Sequence, residues 1–140
     1  PQIDDFDKNP SVEIIPAVAV HGHSGVNYEK VFRESSLMVS DFSGVQFDFA
    51  YMRKPVVYLH HHDIPKHYEE GTFHYDTMGF GEICEDNDEL IDVLISYMQN
   101  NCEMKPEYRR RADDFFRFDD HDNCERIYDV MIDYQKTKIH

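Results

Sequence analysis

The stretch SDFSGVQFDFAYMRKPVVYLHHHD, Ser40 to Asp63, decides how this chain is read. It is preceded by a short apolar run, LMVS at 37–40, and contains a second one, PVVYLH at 55–60. Both have the composition of buried strands, and Pro55 is tolerated because it stands at a strand's first residue. Between the two runs Val45, Phe49 and Met52 recur at the spacing of one helical face over 44–52, with Ser43 available as the N-cap. Leu37 to His60 therefore spells strand, tight turn, helix, strand. That is a βαβ unit, for which a right-handed crossover between parallel strands is the default. Continuous apolar strands imply a sheet covered on both faces. The predicted fold class is α/β with a parallel, Rossmann-like sheet.

Outward from this unit the signals are simpler. Upstream, residues 1–10 form a polar lead-in, SVEIIPAVAV at 11–20 reads as a strand interrupted or ended by Pro16, and HGHSG at 21–25 reads as a loop. VNYEKVFRES at 26–35 predicts a short helix, with Tyr28, Val31 and Phe32 on one face. Downstream, residues 63–88 are a long connection rich in Gly, His and aromatics, of the length that is usually functional, and GEIC at 81–84 predicts a last short strand. Asp86 with Glu89 reads as a capping pair before a helix whose stripe is Leu90, Ile91, Leu94, Ile95 and Met98. Pro106 opens another helix, and Asp122 with Glu125 caps a last one carrying Cys124, Ile127, Tyr128 and Met131 on one face.

Composition bounds the function. The 140 residues suffice for one domain with its own core, and 41% hydrophobic residues exclude a disordered chain. A formal charge of −14 argues against a nucleic-acid groove and against gripping an anionic membrane. The one basic cluster, Arg109–Arg111, is answered by two aspartates and reads as a solvated helix face. Three scattered cysteines without a CxxC point to structural thiols in a reducing, cytoplasmic setting. No apolar run is long enough to span a bilayer. The chain opens on Pro1, and the expectation is an excised piece of a longer protein.

The chemistry gathers at the Ser-Gly turn. A strand that ends in a tight turn and opens a helix aims backbone N–H groups beyond the sheet's carboxyl edge, where phosphate is the favoured guest. Gly44 allows close approach, Ser43 adds a hydroxyl, and Asp48 one turn later can accept from polyol or ribose hydroxyls. A plain serine cap with an ordinary first-turn acid accounts for the same residues.

The run SLMVSDFSGVQFDFAYMRKPVVY is more specific than its local physics. It resembles the C-terminal signature of the CDP-glycerol glycerophosphotransferase family, of the form L-I-T-D-Y-S-S-V-x-F-D-Y/F-A followed by K-P. Asp41, Phe42, Ser43, Val45, Phe47, Asp48, Phe49 and Ala50 fill those places, and Lys54-Pro55 follows. GTFHYD at 71–76 and DNDELIDVL at 86–94 extend the likeness more loosely. The resemblance implies the later part of the C-terminal, nucleotide-binding domain of a two-domain GT-B transferase. It implies a CDP-glycerol or CDP-ribitol donor and a lipid-linked polymer acceptor in teichoic acid or related cell-surface polymer synthesis. It places the parent enzyme peripherally at the inner face of the cell membrane. It implies donor contacts at Ser43, Gly44 and Asp48, with no cofactor and no metal; Asp41, Lys54 near the helix end, and His60 at the carboxyl end of a parallel strand complete the candidate donor-binding residues. Gly44 stands where the family has a second serine. The family's catalytic histidines lie upstream, one of them in a His-Pro pair that this chain lacks, so the piece is expected to bind donor and not to turn it over.

Other readings stay open. Nine histidines invite a metal, with His21 and His23, and His60 and His62 beside Asp63, each sharing a strand face; sequence does not bring the pairs together. Phe73 and Tyr75 are placed to stack on a cytosine ring or to anchor their loop, and Arg53 and Lys54 to neutralise diphosphate or complement the helix end. A noncatalytic acidic interaction module, or part of a sugar-nucleotide GT-B transferase, fits the same pattern.

Overall fold

The structure, a computed structural model, describes residues 9–15, 25–63 and 71–138. The chain divides into two compact units, residues 1–36 and 37–140. In the first, helix α1 (Tyr28–Glu34) begins where the Asn27 side chain accepts the Lys30 N–H. Residues 11–15 form no strand, and the rest of the predicted 11–20 strand, with His21 and His23, lies outside the described residues.

The second unit opens with the predicted βαβ element. Strand β1 (Met38–Ser40) leads through a turn into helix α2 (Val45–Tyr51), which returns to strand β2 (Val56–Leu59). A short helix α3 (Tyr75–Met78) falls inside the long connection, followed by strand β3 (Ile83–Cys84). Helices α4 (Asn87–Gln99), α5 (Pro106–Phe115) and α6 (Asn123–Lys138) complete it. The strands form one parallel sheet in the order β1-β2-β3, with Met38 opposite Val56 and Tyr58 opposite Ile83.

Burial on both sides of β2 follows from strand alternation. Val57 and Cys84 pack with Tyr97 and with Leu90, Val93 and Leu94 of α4. On the opposite side Ala50 of α2, Phe80, and Tyr108 and Ala112 of α5 form a second cluster, edged by Phe47, Phe73 and Phe116. Two glycines permit this closeness. A Cβ on Gly81 would stand 1.6 Å from the Val56 carbonyl oxygen, and one on Gly79 would stand 2.2 Å from that of Tyr75.

The starts of α4 and α5 obey the sequence. Asp86 accepts the Glu89 N–H at 2.9 Å, and Pro106 occupies the first turn of α5. The faces are less faithful. In α4 the inward residues are Leu90, Val93, Leu94 and Tyr97, whereas Ile91, Ile95 and Met98 of the predicted stripe are exposed. The predicted stripe is centred about a quarter of a turn away because a two-residue apolar pair at each turn fits either face. In α6, Ile127, Tyr128, Val130, Met131 and Tyr134 are all exposed. Arg111 is no solvated charge: half-buried, it donates to the Gly79 carbonyl at 3.0 Å and lies 5.3 Å from the Tyr108 ring. All three cysteines are free.

Candidate functional site at the carboxyl edge of the sheet

Parallel strands deliver their carboxyl ends to one edge, which is where α/β sheets hold ligands. Here β1 ends at Ser40, and Asp41–Gly44 turn the chain into α2. The cap of α2 falls on Gly44, one residue later than predicted, with φ −65° and ψ −18°. The N–H groups of Gln46 and Phe47 turn back onto the Ser43 and Gly44 carbonyls, at 3.4 and 3.1 Å. Two of the four first-turn donors are thereby used within the turn.

Ser43 and Gly44 line a cleft of about 290 Å³, with Phe42, Gln46 and Phe47 on their own segment and Gly71, Thr72, Phe73 and Tyr75 facing them from the long connection. Nothing lies within 4 Å of a Cβ built on Gly44, so that position opens onto free space. Phe73 and Tyr75, the two aromatics singled out from sequence, meet edge-to-face with centroids 5.2 Å apart.

Beneath the cleft is a polar chain in the core. The Tyr58 hydroxyl donates to Gln46 Oε1 at 2.5 Å and accepts the Phe80 N–H at 3.0 Å, while Gln46 Nε2 donates to the Tyr75 hydroxyl at 3.0 Å. Gln46 is only 2% exposed, so every one of these bonds satisfies a group that water cannot reach. Burial pushes the Tyr58 phenol well above its ordinary range, with the Phe80 N–H pulling the other way. The phenol stays protonated and can serve both partners. Sequence reading missed Gln46. Its signal was present: Gln46, Phe49 and Ala50 stand at i, i+3, i+4, and these three are the buried residues of α2.

The other predicted residues are distributed unevenly. His60 follows β2 with its N–H bonded to the Cys84 carbonyl at 2.8 Å. Its ring stacks on Phe42 at 4.1 Å and meets Tyr75 edge-on at 4.8 Å, so it buttresses two walls of the cleft. Asp48 is exposed and lines a separate concavity of about 450 Å³ with Phe47, Tyr51, Arg117 and Phe118. Lys54 directs its ammonium to the Phe49 ring, 5.5 Å from the centroid, and Asp41 is exposed. Neither of these two lines the cleft. Arg53 is engaged structurally, donating to Asp113 Oδ1 and to the Tyr51 carbonyl, both at 2.6 Å. Ser43, Gly44 and the His60 buttress are thus brought together, and Asp48, Lys54 and Asp41 are not.

Comparison with known proteins agrees with the signature. The family model of CDP-Glycerol:Poly(glycerophosphate) glycerophosphotransferase matches residues 10–133. The chain is 37% identical over 138 residues, 99% of its length, to the minor teichoic acid biosynthesis protein GgaB of Bacillus subtilis (strain 168). It spans 14% of the length of that relative. No solved structure matches. The chain belongs to the CDP-glycerol:poly(glycerophosphate) glycerophosphotransferase family.

Proposed function

We propose that this chain is the donor-nucleotide-binding portion of a glycerophosphotransferase that uses CDP-glycerol or CDP-ribitol in teichoic acid or related cell-surface polymer synthesis. The observation that carries the reading is the cleft at the carboxyl edge of β1, lined by Ser43 and Gly44 of the family signature and held by the Gln46–Tyr58 network. At about 290 Å³ it is at the small end of ligand pockets, which span roughly 300–1,000 Å³. It suits the phosphate and polyol end of a donor, with the aromatic wall of Phe73 and Tyr75 available to the cytosine ring.

In this reading the Ser43 hydroxyl donates to the donor phosphate, and Gly44 lets that phosphate approach the backbone. Phe73 and Tyr75 close the opposite wall, and His60 keeps Phe42 in place. Asp48 receives donor hydroxyls only if the ligand extends past Phe47, which lines both concavities. Transfer moves a glycerophosphate to an acceptor hydroxyl on a lipid-linked polymer, and CMP leaves. The chain positions and stabilises charge, while the catalytic histidines belong to upstream parts of a GT-B parent. Among the described residues no helix is long and apolar enough to cross a membrane. In this reading the parent enzyme works peripherally at the inner face of the cell membrane. A second reading, an interaction module, has one observation in its favour: the exposed apolar residues along α6.

Calorimetric titration with CDP-glycerol, CMP and UDP tests the proposal. Cytidine-selective binding that Ser43→Ala weakens is the expected result. Preference for UDP would instead indicate a sugar-nucleotide transferase. Binding indifferent to Ser43→Ala would remove the cleft from the donor site.

A further inference from the structure

We propose that His61, His62 and Asp63 form a binding site for one divalent transition-metal ion of the zinc class. The site begins where β2 ends. His60 is fastened to β3 through its N–H and to Phe42 and Tyr75 through its ring, so the chain leaves the sheet from a fixed point. The next three residues turn back on themselves. The Asp63 N–H donates to His61 Nδ1 at 3.2 Å, and the His61 and His62 rings stack with centroids 4.2 Å apart. One Asp63 carboxylate oxygen lies 3.6 Å from His61 Nδ1, and the other lies 3.4 Å from His62 Nε2. One donor atom from each residue falls within 4.8 Å of the other two.

The two His–Asp separations are near those across a shared ion, and binding draws the three donors together. Ligands bound tetrahedrally at about 2.0–2.1 Å stand about 3.4 Å from one another. His61 Nδ1 has one lone pair, which the Asp63 N–H occupies, so a bound ion takes the place of that hydrogen bond. Two imidazoles and one carboxylate select Zn²⁺, Ni²⁺, Co²⁺ or Cu²⁺ over Mg²⁺ and Ca²⁺, which prefer all-oxygen sets. Three protein ligands leave a fourth position open. His62 and Asp63 are 79% and 76% exposed, which gives an ion direct access. The chain's charge of −14 raises the local concentration of cations around it.

The test is competition for Zn²⁺ between the 140-residue chain and a chromophoric chelator, with the Co²⁺ absorption spectrum as a second readout. Expected are one equivalent of Zn²⁺, a tetrahedral Co²⁺ spectrum, and no displacement by excess Mg²⁺. His62→Ala and Asp63→Ala should each weaken binding at least about tenfold, with the circular dichroism unchanged. A chain carrying both His21→Ala and His23→Ala should retain the ion. The proposal is overturned if no Zn²⁺ is retained, if His62→Ala and Asp63→Ala leave binding intact, or if the His21/His23 pair of substitutions abolishes it.

Discussion

Tyr58 donates its hydroxyl proton to Gln46 Oε1 across 2.5 Å, joining the central strand to the helix that carries the family signature. Because the same oxygen accepts the Phe80 N–H, and Gln46 continues to Tyr75, one phenol holds three segments around the cleft. Tyr58→Phe should cost about 1–3 kcal/mol, since it leaves the Gln46 carbonyl and the Phe80 N–H buried without this partner. Urea denaturation measures the loss. Tyr58→Phe combined with Gln46→Leu should cost less than the sum of the two single changes, because both remove the same bond.

The glycines near the site differ in what they require. Gly81→Ala should destabilise by about 3 kcal/mol or more, because its Cβ would enter the Val56 carbonyl and force β2 and β3 apart. Gly44→Ser, which restores the residue typical of the family, meets nothing within 4 Å and has an ordinary backbone conformation. Its stability should change by no more than about 0.5 kcal/mol, and CDP-glycerol should bind more tightly. Thermal melts with parallel calorimetry separate the two glycines.

Arg53 combines a backbone constraint with a side-chain anchor. Its φ of 58° is left-handed, which costs a non-glycine residue about 1–2 kcal/mol, and its guanidinium holds Asp113 of α5. Arg53→Ala and Arg53→Gly both lose the anchor, but only glycine relieves the backbone. The glycine variant should therefore be the more stable of the two by about 1 kcal/mol, read from denaturation midpoints. Equal stabilities would mean that the left-handed turn is not retained.

Alkaline pH should unfold this chain through its buried acids. Burial, reinforced by the carboxylates of Glu89, Glu82 and Asp86, pushes the Cys84 thiol from 9.0 up to about 11. Burial, reinforced by Glu82 and Glu107, pushes the Tyr108 phenol from 10.0 up to about 12. Between those values the unfolded chain has released protons that the folded chain retains, so stability falls as pH rises. It is intact below about pH 9 and declines from there to about pH 12, the interval bounded by the Cys84 and Tyr108 values. Cys84→Ala should flatten the first part of that decline, between about pH 9 and 11, in denaturant titrations at stepped pH.

Much of the site's framework was legible along the chain because it is local. The Ser-Gly turn, the strands on either side and the Asp86 cap each depend on neighbours within a few residues, and the signature around Ser43 carried the family. Asp48 and Arg111 were not legible in this way. Whether an exposed acid shares a cleft with Ser43, or a basic residue in a run of three turns inward to a carbonyl, depends on partners far away in sequence. Arg111 meets Gly79 across 32 residues.

By itself the sequence determined the parallel α/β unit, its family and the position of the signature turn, because hydrophobic period, Pro and Gly placement and a contiguous motif are written in order. Tertiary structure alone decided which face of each helix is buried and that Gln46, Tyr58 and Tyr75 meet. It also decided that Ser43 and Gly44, rather than Asp48, share the cleft with the long connection. Those outcomes rest on how three parallel strands bring separate loops to one edge, and on the need of each buried polar group for a partner that only the folded chain supplies.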